Sequence, residues 1–176
     1  MEAGHTFLFT DLVGFTALTA ERGDDHAADV AIAFYERVRP LLDEHAAEEV
    51  KTLGDGMMLR APDPERGIAL GVAIVTETER IPGFPPVRVG VHHGPAVERH
   101  GDWYGDTVNV ASRLCSAAGG GEVLVSADAA DKAGRLKRVG FGERRMHWLK
   151  NVSRPIHAHV ASPCASLLVN HPEVAA

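Results

Sequence analysis

Two aspartates stand at the points where predicted strands end. Asp11 follows the short apolar run His5–Thr10, and Asp55 occupies the tip of a hairpin signalled by Gly54-Asp55-Gly56. If the first strand lies beside this hairpin, both carboxylates emerge at one edge of a sheet. Either aspartate alone could be a helix cap or a turn residue, but the pair suits hard divalent cations such as Mg²⁺ or Mn²⁺. Neither has His or Cys at zinc-ligand spacing, which argues against zinc.

The segment after Asp11 is a candidate phosphate site. The chain leaves a strand there, passes Gly14 and enters a helix, so the backbone N–H groups of Phe15 and Thr16 can face a phosphate. A single glycine is a weak signal by itself. Beside two metal-binding carboxylates it indicates a triphosphate, because cations and amides together neutralise that charge.

A third group of polar residues lies on a predicted helix, Asp106 to Ala118. Asn109 and Arg113 are one turn apart on one face of this helix, and only apolar and small residues separate them. An arginine in this setting suits the charge that grows on a phosphoryl centre. The alternative interpretation is an exposed polar stripe.

Four motifs carry a resemblance to a known family. They are Phe9-Thr-Asp11-Leu-Val-Gly14-Phe15-Thr16, Lys51-Thr-Leu-Gly54-Asp55-Gly56, Arg88-Val-Gly-Val-His-His-Gly94 and Tyr104-Gly105-Asp106-Thr-Val-Asn109-Val-Ala-Ser-Arg113. In this order and spacing the sequence closely resembles the catalytic domain of class III adenylyl/guanylyl cyclases, of the bacterial adenylyl cyclase type. The resemblance covers residues 4 to 161.

The resemblance implies roles for the residues singled out above. Asp11 and Asp55, with the backbone carbonyl of Leu12, match the ligands of two divalent cations per site, Mg²⁺ or Mn²⁺. Asn109 and Arg113 match the residues that orient the ribose and stabilise charge at the α-phosphate.

The resemblance also implies how the nucleotide is recognised. Lys51 and Asp102 look like the pair that reads adenine, and Lys150 falls near a lysine that contacts the terminal phosphates. The chemistry of the base agrees, since adenine offers an acceptor at N1 and a donor at its amine, whereas Lys only donates and Asp only accepts. Guanine presents the reverse pattern and would meet mismatched groups.

The implied function is an adenylyl cyclase that converts ATP to 3′,5′-cyclic AMP and pyrophosphate. In this family each site lies between two head-to-tail domains, so a homodimer with two equal sites is expected. Asp11 and Asp55 then come from one chain, and the base and transition-state residues come from the other. Alternatives are a guanylyl cyclase and a non-catalytic ATP-binding regulatory domain. A diguanylate cyclase would need a Gly-Gly-Asp/Glu-Glu-Phe run, which the sequence lacks.

The element order predicts an α+β fold with a ferredoxin-like (split βαβ) sheet and helices packed on one face. A catalytic domain is expected over residues 1–161, followed by a poorly ordered tail, 162–176. Pro40 should kink or split a helix predicted over residues 24–48.

Composition narrows the function classes. Eighteen basic against 24 acidic residues give a net charge of −6, which argues against a nucleic-acid partner. No apolar run reaches the length of a membrane span. Cys115 and Cys164 are two distant thiols and the N-terminus carries no secretory pattern, so a cytoplasmic location is expected.

Overall fold

The computed structural model describes residues 4–164, whose strands form an eight-stranded sheet and a separate two-stranded one. The strands are β1 His5–Leu12, β2 Glu48–Thr52, β3 Gly56–Ala61, β4 Val87–Gly94, β5 Val97–Arg99, β6 Asp102–Tyr104, β7 Val123–Ser126, β8 Val139–Phe141, β9 Arg145–His147 and β10 Ile156–Pro163. The helices are α1 Phe15–Arg22, α2 Asp24–Glu44, α3 Pro64–Glu79, α4 Asp106–Ala117 and α5 Ala127–Ala133.

The large sheet has the strand order β2-β3-β1-β4-β7-β10-β8, with β9 beside β10, and β5 and β6 pair with each other. Strand β1 is central and antiparallel to both β3 and β4, whereas β4 and β7 are parallel. The first four strands therefore have the split βαβ arrangement, and the predicted α+β fold class is confirmed.

The helices cover both faces of the sheet, which corrects the expectation that they pack on one. In β4, Val89 and Val91 face Gly71 of α3, whereas Gly90 lies directly against the backbone of α4. Successive residues of a strand point to opposite faces, so α3 and α4 lie on opposite sides of β4. Apolar residues on both faces of the central strands, and a glycine where α4 approaches, make this possible.

Helix α2 runs without interruption from Asp24 to Glu44, so Pro40 does not split it. Pro40 is exposed, and the carbonyl left without its helical partner belongs to Glu36, which is exposed as well. Water can replace the missing hydrogen bond there, and this lowers the cost of the proline. Within residues 4–164, no helix has both the length and the apolar character to cross a membrane.

The final strand extends past the domain boundary expected at residue 161. Ser162 pairs with Gly140, Pro163 pairs with Val139, and the N–H of Cys164 donates to the carbonyl of Arg138. The first three residues of the expected tail therefore belong to the sheet edge, and the rest of it lies outside the described residues.

Gly90→Ala tests the close contact between β4 and α4. The added Cβ would overlap the backbone of Ala111 and Cys115, which cannot move without displacing the helix. We expect a loss of about 3 kcal/mol in the free energy of unfolding, the upper end of the cost of overpacking. Gly140→Ala is the matched control, because a Cβ there meets no atom within 4 Å. Equal denaturation midpoints for the two variants would contradict the described packing.

Candidate active site

The two predicted acidic residues lie side by side at one end of the sheet. Asp11 in β1 is paired in register with Gly56, the first residue of β3, and the N–H of Leu12 donates to the carbonyl of Asp55 at 2.9 Å. Burial and the negative charge of Asp11 both raise the pKa of Asp55. The strand pairing thus brings the carboxylates close enough to repel each other.

Arg88 is the cation next to this pair. It stands opposite Asp11 in the β1–β4 register, and its Nε and Nη2 lie 2.6 and 2.5 Å from Asp11 Oδ2. Its Nη1 also donates to the carbonyl of Ser116 in α4, at 3.2 Å. The sequence interpretation named Arg88 only as part of a motif. A charged residue between the buried Val87 and Val89 was the signal that could have marked it.

The donors at this end of the sheet fit a hard divalent cation. Both side chains supply carboxylate oxygens, and Leu12 at the end of β1 brings its backbone beside them. Among residues 4–164, no three His, Cys, Asp or Glu side chains form a cluster that could hold a metal alone. A cation bound by Asp11 and Asp55 would therefore take its other ligands from backbone, water or substrate oxygens.

Lys51 and Asp102, 51 positions apart in the chain, form an ion pair with Nζ and Oδ2 at 2.6 Å. Lys51 belongs to β2 and Asp102 to β6, a three-residue strand that the sequence pattern did not reveal. The other oxygen of Asp102 accepts from the N–H of Trp103 at 2.8 Å. The hydrogen bonds from Lys51 and Trp103 lower the pKa of Asp102, so the carboxylate stays ionised at neutral pH.

Trp103 fixes the position of Asp102 against the large sheet. Its ring lies 4.4 Å from the ring of His5 and 5.6 Å from that of Phe7, measured between centroids. The guanidinium of Arg60 lies 5.1 Å from the same ring. Contacts with β1 and β3 thus hold β6, although β6 is not part of their sheet.

Asn109 and Arg113 lie on the side of α4 that faces away from the sheet. Asn109 is exposed and Arg113 is half-buried. The opposite side of the helix packs on the sheet and is buried, and it comprises Thr107, Val108, Val110, Ala111, Leu114 and Cys115. In the part of the chain that the structure describes, no hydrogen bond or ion pair joins Asn109 or Arg113 to the acidic pair.

Cys115, on the sheet side of α4, is a free thiol. Burial and the negative charge of Asp11 raise its pKa to about 12. The thiol therefore stays protonated and does not serve as a nucleophile.

The structure gives the following positions for the residues predicted to bind phosphate. Gly14 adopts the left-handed conformation, with φ at 81°, and α1 begins at Phe15. Phe15 packs against the core while Thr16 is exposed. Lys150 is exposed in a turn, and within residues 4–164 its side chain makes no hydrogen bond or ion pair with the other predicted site residues.

Comparison with known proteins agrees with this fold. Residues 3–150 match the family model of the adenylate and guanylate cyclase catalytic domain. The chain is 38% identical over 154 residues to the pH-sensitive adenylate cyclase of Mycobacterium tuberculosis, covering 82% of this chain and 38% of that protein. It is 36% identical over 117 residues to an adenylate cyclase of Streptomyces griseus, covering 66% of this chain and 29% of that protein. The chain thus spans well under half the length of these relatives.

Solved structures give the same result. The adenylate/guanylate cyclase/hydrolase of Silicibacter pomeroyi superimposes with a TM-score of 0.79 at 26% identity, covering 92% of this chain and 97% of that one. A monomeric adenylate cyclase structure from Trypanosoma brucei gives a TM-score of 0.80 at 24% identity, covering 90% and 88% of the two chains. The chain belongs to the family of adenylate and guanylate cyclase catalytic domains.

Proposed function

We propose that this domain is an adenylyl cyclase, which converts ATP to 3′,5′-cyclic AMP and pyrophosphate. The observation that carries the proposal is the contact between Lys51 and Asp102, at 2.6 Å, on the face of the chain where β6 meets β2. Family membership gives two choices of nucleotide, and this pair favours adenine. The identity to curated bacterial adenylate cyclases supports the same choice.

The base is selected by the direction of two hydrogen bonds. Lys51 would donate to adenine N1, and Asp102 would accept from the exocyclic amine. Guanine carries a hydrogen at N1 and an oxygen at the exocyclic position. The donor Lys51 would then face the N1–H donor, and the acceptor Asp102 would face the oxygen, which is also an acceptor. Unpaired polar groups in a closed site are the strongest basis for rejecting a substrate, by ~10⁴–10⁵-fold at best.

Asp11 and Asp55 would hold two divalent cations, Mg²⁺ or Mn²⁺, together with the carbonyl of Leu12. When bound, these cations would lower the pKa of the ribose 3′-hydroxyl and would stabilise the negative charge of the triphosphate. The N–H groups of Phe15 and Thr16 would bind phosphate oxygens at the start of α1.

The remaining groups act on the reacting phosphate and its leaving group. Arg113 would stabilise the charge that develops at the α-phosphate, Asn109 would orient the ribose, and Lys150 would bind the terminal phosphates. The 3′-oxygen forms a bond to the α-phosphorus, and the bond from that phosphorus to the oxygen bridging to the β-phosphate breaks. Pyrophosphate leaves with the bridging oxygen, and the proton of the 3′-hydroxyl passes to water or to a substrate phosphate.

The outward orientation of Asn109 and Arg113 supports a site shared by two chains. These side chains lie on the side of α4 opposite its own sheet, so they are available to the acidic pair of a second copy. We infer a head-to-tail homodimer with two equal sites.

We also infer a cytoplasmic location. Two observations suit it, the free thiols of Cys115 and Cys164 and the proposed substrate ATP.

The first test is turnover of ATP and GTP by the purified chain with Mn²⁺. We expect cyclic AMP and pyrophosphate in equal amounts from ATP, and much slower turnover of GTP. Faster turnover of GTP would identify a guanylyl cyclase. Binding of ATP without turnover would identify a regulatory domain, and either outcome contradicts the proposal.

The shared site is tested by mixing two inactive variants. Asp11→Ala and Arg113→Ala should each lose ~10²–10³-fold in kcat. In an equal mixture half of the dimers are heterodimers with one intact site of two, so activity should return to about a quarter of the wild-type value. Asp11→Ala mixed with Asp55→Ala is the matched control and should stay inactive, because both changes fall in the same half of the site. Heterodimers that form without regaining activity would exclude the shared site.

Nucleotide selectivity is tested by reversing the polarity of the base pair. Lys51→Glu combined with Asp102→Ser should shift the ratio of kcat/KM from ATP towards GTP, since an acceptor then faces the N1–H of guanine. Each single variant should lose ATP turnover without gaining GTP turnover. A double variant with the wild-type ratio would show that this pair does not read the base.

A further inference from the structure

Helix α2 makes a direct contact with the tip of the hairpin that carries Asp55. The hydroxyl of Tyr35 donates a hydrogen bond to the backbone carbonyl of Gly54. Gly54 has a left-handed backbone with φ at 78°, and the hairpin turns there between β2 and β3. The contact therefore joins a helix to the peptide group immediately before Asp55.

Asp55 is held on both of its flanking peptide groups. On its N-terminal side the carbonyl of Gly54 accepts from Tyr35, and on its C-terminal side its own carbonyl accepts from the N–H of Leu12 at 2.9 Å. The two peptide planes determine the φ and ψ of Asp55, and these set the direction of the Cα–Cβ bond from which its carboxylate extends. Strand β1 supplies one restraint and α2 the other.

Tyr35 is close to the carboxylate without being a ligand. Its ring is partly buried beside Phe34, with 6.1 Å between the ring centroids. Burial and the negative charge of Asp55 both raise the pKa of the Tyr35 hydroxyl, so the hydroxyl stays protonated and remains a donor. The group thus combines a fixed ring with a donor aimed at the hairpin.

A second contact between α2 and the hairpin lies away from the tip. The guanidinium of Arg39 donates to both carboxylate oxygens of Glu49, at 2.9 and 3.3 Å. Glu49 is in β2, six positions before Asp55, at the opposite end of the hairpin. This ion pair provides an internal comparison, because it joins the same helix and hairpin without restraining the peptide groups of Asp55.

We propose that Tyr35 is a positioning residue for Asp55, and that its bond to the Gly54 carbonyl holds the carboxylate where it binds a divalent cation. The inference rests on the proposed cation-binding role of Asp55. Binding sites require their side chains within about 0.5 Å of the productive position, and a short glycine-containing tip, the three residues between β2 and β3, does not provide this alone. Tyr35 supplies the missing restraint from outside the sheet.

Direct titration of the protein with Mn²⁺, followed by the EPR signal of the free ion, tests this without turnover. Tyr35→Phe removes only the hydroxyl and should raise the Kd for Mn²⁺ about tenfold, the lower end of the effect of losing a group that orients a metal ligand. We also expect kcat for ATP to fall at subsaturating Mn²⁺ and to recover in part when Mn²⁺ is raised.

Two control variants distinguish a loss of the positioning of Asp55 from a general loss of stability of the fold. Thr76→Val removes a hydroxyl that donates within α3, to the Val72 carbonyl at 2.8 Å, and should leave the Kd unchanged. Arg39→Gln breaks the other contact between α2 and the hairpin and should also leave it unchanged. The proposal is wrong if Tyr35→Phe binds Mn²⁺ as the wild type does, or if Arg39→Gln weakens binding equally.

The experiment distinguishes a failure of the proposed cyclase function from a failure of the proposed role of Tyr35. A wild-type protein that binds Mn²⁺ but forms no cyclic AMP would refute the cyclase proposal, while the comparison of Kd values still decides the role of Tyr35. A wild-type protein that binds no Mn²⁺ would overturn both, since Asp55 would then hold no cation.

Discussion

The repulsion between two neighbouring carboxylates is the constraint around which this end of the sheet is organised. The β1–β3 pairing places Asp11 beside the tip that carries Asp55, and burial of Asp55 strengthens the repulsion. Like charges in a partly buried site are costly unless positive charge lies nearby. Arg88 supplies one such charge from β4. The remaining negative charge is available for the divalent cations that the proposed reaction requires.

The hairpin β2–β3 links the two functions of the site. Lys51 on β2 forms the pair proposed to read the base, and Asp55 at the tip belongs to the acidic pair. In the proposed homodimer these two residues would serve different sites, although they lie four positions apart in the chain. The contacts that fix the tip of this hairpin, from Tyr35 to Gly54 and from Leu12 to Asp55, therefore bear on the site to which Asp55 contributes. A displacement of the hairpin would change recognition in one site and cation binding in the other.

Local sequence signals predicted β1, the β2–β3 hairpin and the acidic pair, because turn residues and apolar runs mark where strands end. The proximity of Lys51 and Asp102 came only from the family resemblance, since 51 positions separate them and β6 is too short to show a period. Arg88 and Tyr35 were missed as partners of the site, because their contacts depend on strand register and helix docking. The position of α4 on the second face depends on Gly90, whose significance only the packed structure reveals.

The ion pair between Lys51 and Asp102 has a consequence for how a nucleotide enters. A solitary lysine in a nucleotide site attracts the charged phosphates more strongly than a neutral base, which would favour a nucleotide bound with its phosphates at the base position. Here the neighbouring carboxylate cancels that charge before any ligand arrives. The pair proposed to read the base therefore carries no net charge, so it does not attract the triphosphate to the position that the base should occupy.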